Sequence, residues 1–160
     1  ILRYVFFHSL ALADNMKIPM FYTVHKRSGT PLHADHIDAR CDELLRLVNL
    51  DQKAQQLPPH LTQVEMRKLE LARAMAAEPK LLVGDESMAG LSHSEVEDIV
   101  ALLKRLNESG ITIIMIEHIM SAVMSFSQRL VVLVSGKKIA DGKPDAVVNN
   151  PEVIGAYLGQ

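Results

Sequence analysis

The sequence is sparse in the features that usually decide a protein's class. A single cysteine, Cys41, among 160 residues excludes an internal disulfide framework, is too few for a cysteine metal site and fits a reducing cytoplasm. Positive charge is not in surplus either. Seventeen Lys and Arg stand against nineteen Asp and Glu, a net charge of -2, so there is no electrostatic footprint for nucleic acid or an anionic membrane surface. No window reaches the ~18 consecutive apolar residues of a membrane span, and any membrane role is expected to pass through a partner. The apolar opening, residues 1–12, has no charged leading region or small-residue cleavage site and does not read as a signal peptide. The chain begins at Ile1 rather than Met, as a fragment would, and a Gly-x-x-x-x-Gly-Lys-Ser/Thr phosphate loop occurs nowhere in it.

What is present is a hydrophobic content of 48%, enough for one ordinary core or two small lobes sharing one. Two composition regimes meet near Glu78-Pro79. Before that point Ile37, Cys41, Leu44, Leu45 and Val48 recur at helical spacing, and Leu57-Pro58-Pro59-His60 interrupts before another helix. After it, apolar runs at 81–84, 111–116 and 130–134 alternate with a helical stretch at 95–106 whose Val96, Ile99, Val100, Leu103 and Leu106 share one face. That alternation predicts βαβ crossovers and a parallel sheet. Ser135-Gly136 joins 130–134 to 137–140 as a terminal hairpin, and two short helices follow, opening on Pro144 and Pro151, where a missing N–H costs nothing.

The richest stretch chemically is Lys80-Leu81-Leu82-Val83-Gly84-Asp85-Glu86, an apolar run ending in two adjacent carboxylates. Acids at the C-terminal end of a parallel strand sit where open α/β sheets bind ligands, which makes the pair a candidate magnesium and water site. Gly84 should weaken a buried strand there, by roughly 0.5–1 kcal/mol relative to Ala. Thr112 to Ile116 is a second apolar run, followed by Glu117-His118. If the two strands are neighbours, Asp85, Glu86 and His118 reach one edge of one sheet: a magnesium carboxylate, a water-orienting carboxylate and an imidazole donor, a set suited to phosphoryl transfer.

Two helix starts carry capping-box spacing. In Leu61-Thr62-Gln63-Val64-Glu65-Met66, Thr62 and Glu65 are so spaced, with Leu61 and Met66 as a hydrophobic staple; Ser92 and Glu95 repeat the spacing after Ala89-Gly90-Leu91. The first turn of such a helix presents free amides and a positive dipole end to an anion. A rival site is His33-Ala34-Asp35-His36-Ile37-Asp38, four potential metal ligands in six residues. At i, i+3 on a helix they share faces and would make a weak divalent site, but a solvated first turn whose acids complement the dipole is the better account of them.

In this order, the elements resemble the ATP-binding subunit of ABC transporters. Residues 61–65 and the helix Met66-Arg67-Lys68-Leu69-Glu70-Leu71-Ala72-Arg73-Ala74-Met75 resemble the signature segment. Residues 81–86 resemble the Walker B strand with its catalytic glutamate, 87–92 the D-loop, and Glu117-His118 the switch histidine. Residues 129–142 and the ending Asn150-Pro151-Glu152-Val153-Ile154-Gly155-Ala156-Tyr157-Leu158-Gly159 look closest to the branched-chain amino acid (Liv-type) importers. The likeness covers 57–160; the looser 1–56 resembles the helical subdomain that follows the Q-loop, whose glutamine would fall near Leu2. Within the signature, Gln63 and Val64 stand in place of two glycines and Glu65 in place of glutamine.

The resemblance implies an α/β fold: part of a P-loop NTPase (RecA-like) core with a parallel sheet, plus an ABC-type α-helical subdomain. Residues 1–78 would be that subdomain with the signature helix, and 79–160 the C-terminal half of the nucleotide-binding core, with the P-loop upstream of Ile1. It implies ATP and Mg2+ as ligands, with Asp85 holding Mg2+ through water, Glu86 polarising the attacking water and His118 contacting the γ-phosphate. Thr62, Gln63, Glu65 and Ser92 would face the ATP of an opposing subunit. Implied partners are a second ABC ATPase subunit, identical or a paralogue, transmembrane permease subunits and, indirectly, a solute-binding protein, with no nucleic acid. The place implied is the cytoplasmic face of the cell membrane, reached peripherally through the permease. From a different class, the alternative is a non-catalytic, truncated ABC domain that docks on a partner without turning over nucleotide.

Overall fold

A computed structural model of the chain describes residues 6–24 and 33–158. Leu2, where the Q-loop glutamine would fall, and Gly159 lie outside them. The described residues form two compact units, Ile1–Ile116 and Glu117–Gln160.

The first unit opens with three helices that bury their apolar stripes on one another. Helix α1 (Leu12–Pro19) packs against α2 (Ala34–Leu47) and α3 (Gln63–Met75), and α2 against α3. Every member of the stripe expected on α2, from Ile37 to Val48, is buried, and Leu12, Met16, Leu44, Leu45 and Leu69 are almost wholly removed from water. Short 3-10 turns at Asp51–Lys53 and Pro58–His60 carry the chain from α2 to α3. The prolines suit this stretch, because they cannot sit inside a continuing α-helix, and Leu57, before Pro58, takes extended backbone.

Strand β1 (Leu81–Asp85), helix α4 (His93–Glu108) and strand β2 (Thr112–Ile116) then make a βαβ unit. The strands pair in parallel, with Leu82 opposite Ile113, Gly84 opposite Met115 and Asp85 opposite Ile116. Helix α4 packs on β2 and on α3. All five apolar residues read from its periodicity are buried, joined by Leu102. On the face of the sheet that carries Asp85, Leu81, Ile114 and Ile116 are half exposed.

The second unit contains α5 (Met120–Phe126), β3 (Leu130–Val134), β4 (Lys137–Gly142), α6 (Pro144–Val148) and α7 (Pro151–Leu158). Val132, Ala140, Val147 and Val153 form its small core, flanked by Leu130, Val134 and Ile139. Among the described residues the parallel sheet has two strands, and the β-branched run at 130–134 pairs antiparallel with β4, the terminal hairpin that Ser135-Gly136 predicts. The turn is the physical reason: Ser135 and Gly136 both take positive φ, 47° and 78°, the conformation of a tight two-residue hairpin whose twist matches its strands. The hairpin and the two proline-initiated helices otherwise stand where the sequence puts them.

Candidate nucleotide site

Asp85 closes β1 with its side chain exposed, and Glu86 follows, also exposed, with φ 46°. Left-handed backbone costs a residue with a Cβ roughly 1–2 kcal/mol, so this turn has to be held. Two bonds hold it: the Glu86 N–H donates to the Ile116 carbonyl at 2.9 Å, and the Glu86 carbonyl accepts from the Ala89 N–H at 3.3 Å. The strand thus turns sharply away just beyond the sheet, leaving both carboxylates at the C-terminal edge shared by β1 and β2. Ser87 and Met88 turn inward and are buried.

The first turn of α3 is built as its sequence implies. The Thr62 N–H donates to Glu65 Oε2 at 3.0 Å and the Glu65 N–H donates to Thr62 Oγ1 at 3.4 Å, closing the capping box. Glu65 also binds Lys53 Nζ through Oε1 at 2.6 Å. The Lys53 ammonium, and then the Thr62 amide, hold its carboxyl below the ordinary carboxylate range. The helical ladder begins with Met66 N–H to the Thr62 carbonyl, 2.9 Å, so the amides of Gln63 and Val64 precede it and belong to the positive end of the helix. At α4 the second capping box pins Ser92: its amide and hydroxyl both donate to Glu95 Oε2 at 2.8 Å. Those two bonds lower the Glu95 carboxyl in turn.

Within the first unit, therefore, Asp85, Glu86, Thr62, Gln63, Glu65 and Ser92 occupy turns next to one another in the fold: the end of β1, the start of α3 and the start of α4. Gln63 joins two of these turns, its Nε2 donating to the Ala89 carbonyl at 3.0 Å. His118 follows β2 by two residues, exposed, at the start of the second unit. The rival histidine and aspartate cluster heads α2 with His33, Asp35, His36 and Asp38 all exposed. His33 and His36 meet edge to face, Asp38 pairs with Lys17 at 3.0 Å, and no group of three metal-ligating side chains is assembled among the described residues.

Comparison with known proteins bears on the family and the fold. Residues 137–160 match the family model described as branched-chain amino acid ATP-binding cassette transporter. The high-affinity branched-chain amino acid transport ATP-binding protein BraF of Pseudomonas aeruginosa is 42% identical over 117 residues, 72% of this chain and 46% of that protein. The chain belongs to the ATP-binding-cassette family. It spans about half the length of the curated relatives it matches. The ADP conformation of an ATP-binding cassette of an ABC transporter superposes with a TM-score of 0.80 at 23% identity, over 96% of this chain and 64% of that one. A dimeric cassette in a post-hydrolysis state, bound to ADP and Pi, gives 0.74 at 23% identity over 89% and 60%. At that identity the likeness establishes the fold, a partial nucleotide-binding cassette of mixed helices and strands.

Three polar features of this cassette chain escaped sequence reasoning. Asn15, fully buried, accepts from the Phe7 N–H at 3.0 Å and donates to the carbonyls of Phe7, Leu10 and Ala11 at 3.0–3.1 Å, pinning the loop that leads into α1. Its one signal is an asparagine set between Leu12 and Met16. Glu70 is buried on α3 against Arg67, 3.0 Å away; desolvation raises its carboxyl, with the guanidinium opposing. Lys53, twelve residues from Glu65, left no pattern to find.

Proposed function

We propose that this chain supplies half of a shared ATP site in an ABC importer for branched-chain or related amino acids, with residues 1–78 as the helical subdomain and 79–160 as the second half of the nucleotide-binding core. The observation that carries the reading is the acid pair at the edge of β1, with Glu86 held in a left-handed turn beside the capped amide end of α3. An exposed strand-end carboxylate suits Mg2+, which is usually held by one or two carboxylates while substrate phosphates and water complete its octahedron. Asp85 would hold the ion through water, and the bound ion supplies charge neutralisation on the transferring phosphate. Glu86 accepts a proton-bearing hydrogen bond from the attacking water, and His118 donates to a phosphate oxygen. On the other side of the interface, the Thr62 and Ser92 turns, with the amides of Gln63 and Val64 and the carboxylate of Glu65, face the ATP held by a second cassette subunit, identical or paralogous.

The two half-sites would close around nucleotide and part after hydrolysis, and permease subunits served by a solute-binding protein would follow that motion at the cytoplasmic face of the membrane. No helix among the described residues is long and apolar enough to cross a membrane. The second reading is a non-catalytic module that docks on a partner without turning over nucleotide. Both readings expect negligible magnesium-dependent hydrolysis from this chain alone, and robust turnover abolished by Glu86→Gln would overturn that expectation. A chimera separates them. With residues 57–160 replacing the matching segment of BraF, the ATPase reading expects hydrolysis comparable to the parent protein and a loss of about a hundredfold or more on Glu86→Gln. A folded chimera that binds MgATP without turnover would reject that reading in favour of the module.

A further inference from the structure

The side chain of Gln63 is spent in an unusual way for a residue in the first turn of a helix. It leaves α3 and reaches the loop behind the acid pair, where Nε2 donates to the Ala89 carbonyl at 3.0 Å. The residue beyond, Gly90, has φ 79°, and a Cβ built on it would lie 2.6 Å from Gln63 Nε2 and 3.4 Å from the amide carbon and oxygen. The contact is therefore fitted from both sides: a donor long enough to reach the loop, and a loop residue with no side chain to block it. From Ala89 the path continues without a gap, through the Ala89 N–H to the Glu86 carbonyl, and the Glu86 N–H to the Ile116 carbonyl.

We propose that Gln63 is a positioning residue for the turn that carries Glu86, its carboxamide tying the start of α3 to the Ala89-Gly90 loop. Glu86 sits in a backbone region that costs free energy to occupy, so a restraint three residues further on biases whether that turn keeps its shape. The backbone amide of Gln63 stays at the helix end while its side chain restrains the loop, so one residue serves two neighbouring elements. Resting on the nucleotide reading above, the strap links the helix end that meets the opposing subunit's nucleotide to the glutamate that acts on this subunit's own. A displacement of α3 by a partner would then be felt at Glu86 through two successive hydrogen bonds. A second tie, Lys68 Nζ to Asp98 Oδ2 at 3.4 Å, joins α3 to α4 further along both helices and does not touch the loop.

The test uses the 160-residue chain without nucleotide, with amide exchange and backbone resonances followed by NMR. Gln63→Ala and the isosteric Gln63→Glu, which keeps the shape and loses the donor, should each speed exchange of the Ala89 and Leu91 amides about fivefold, the equivalent of a ~1 kcal/mol hydrogen bond. Both should also move the Glu86 amide resonance while leaving the amides of Ala72 and Leu103 as they were. Gln63→Lys, which restores a donor of similar reach, should return Glu86 toward its original resonance. Gly90→Ala should disturb the same amides, and less so when Gln63→Ala has removed the colliding group. A Gln63→Glu chain indistinguishable from wild type at 86–91, or exchange that rises uniformly through α3 and α4, would overturn the strap. With no nucleotide in the sample, such a result counts against the strap alone, whereas a chimera without turnover counts against the nucleotide reading alone.

Discussion

Replacing Glu65 with Gln removes one charge from the start of α3 and changes little else in shape. The carboxylate makes two bonds in the folded chain, to the Thr62 amide at 3.0 Å and to Lys53 Nζ at 2.6 Å. A glutamine oxygen can still accept from one of them. The charge-assisted component is lost, and a cap of this kind contributes about 0.5–2 kcal/mol. The Lys53 pair adds a few tenths more, discounted because the ammonium side is a third exposed. We expect Glu65→Gln to cost about 1–2 kcal/mol at pH 7, read as a shift in the midpoint of urea unfolding followed by circular dichroism. The pH dependence identifies the cause. Because the folded carboxyl is held below its ordinary value of 4.5, its contribution is complete above that value and drains away as pH falls through the depressed folded value. The gap between wild type and variant should therefore be level from neutral pH down to about 4.5 and close below it. A gap that stays constant down to pH 3, or a variant as stable as wild type at pH 7, would refute the assignment of this charge to the cap.

Other outcomes follow from buried groups. Asn15→Ala removes the side-chain partner of the Phe7 amide and the Leu10 carbonyl, while the Phe7 and Ala11 carbonyls keep the backbone N–H of Leu10 and of residue 15; it should lower stability by about 2–4 kcal/mol, seen as a drop in thermal midpoint larger than for any exposed Asn→Ala change. Ile99→Ala, at a position 1% exposed on α4, should cost about 2–5 kcal/mol in the same assay, and a loss under 1 would mean α4 does not pack as described. Cys41 is buried and its thiol is pushed up to about 11, mainly by desolvation. The thiolate fraction at pH 8 is then small, so Cys41 should resist a thiol reagent in the folded chain and react at once in urea; rapid labelling of folded protein would place it at the surface.

The parts of this molecule that were legible in its sequence are those whose cause is local. Val96 to Leu106 share a face because 3.6 residues make a turn, so the buried side of α4 could be read directly. Thr62 with Glu65 and Ser92 with Glu95 lie three apart because a capping box closes over one turn. The acid pair announced itself as a break in an apolar run, and Pro144 and Pro151 marked helix starts by lacking an N–H. Register and partner choice were another matter. The run at 130–134 has the same β-branched character as 112–116; Ser135-Gly136 marked the first for a hairpin, whereas the second pairs with a strand about thirty residues earlier. Beyond the reach of a short turn, local pattern is silent on which edge a strand will meet.

The sequence by itself determined where helices and strands start, which faces turn inward and which carboxylates end a strand, since those follow from periodicity, capping and backbone preference within a few residues. Only the tertiary structure decided that Gln63 reaches the Ala89 carbonyl, that Lys53 braces Glu65, that Asn15 closes the Phe7 loop and that Glu86 turns left-handed against Ile116. Each of the three side-chain bonds joins residues between 8 and 26 positions apart, and the Glu86 turn is tied to a strand further off still. A polar side chain carries no mark of a distant partner until packing brings the two within hydrogen-bond reach.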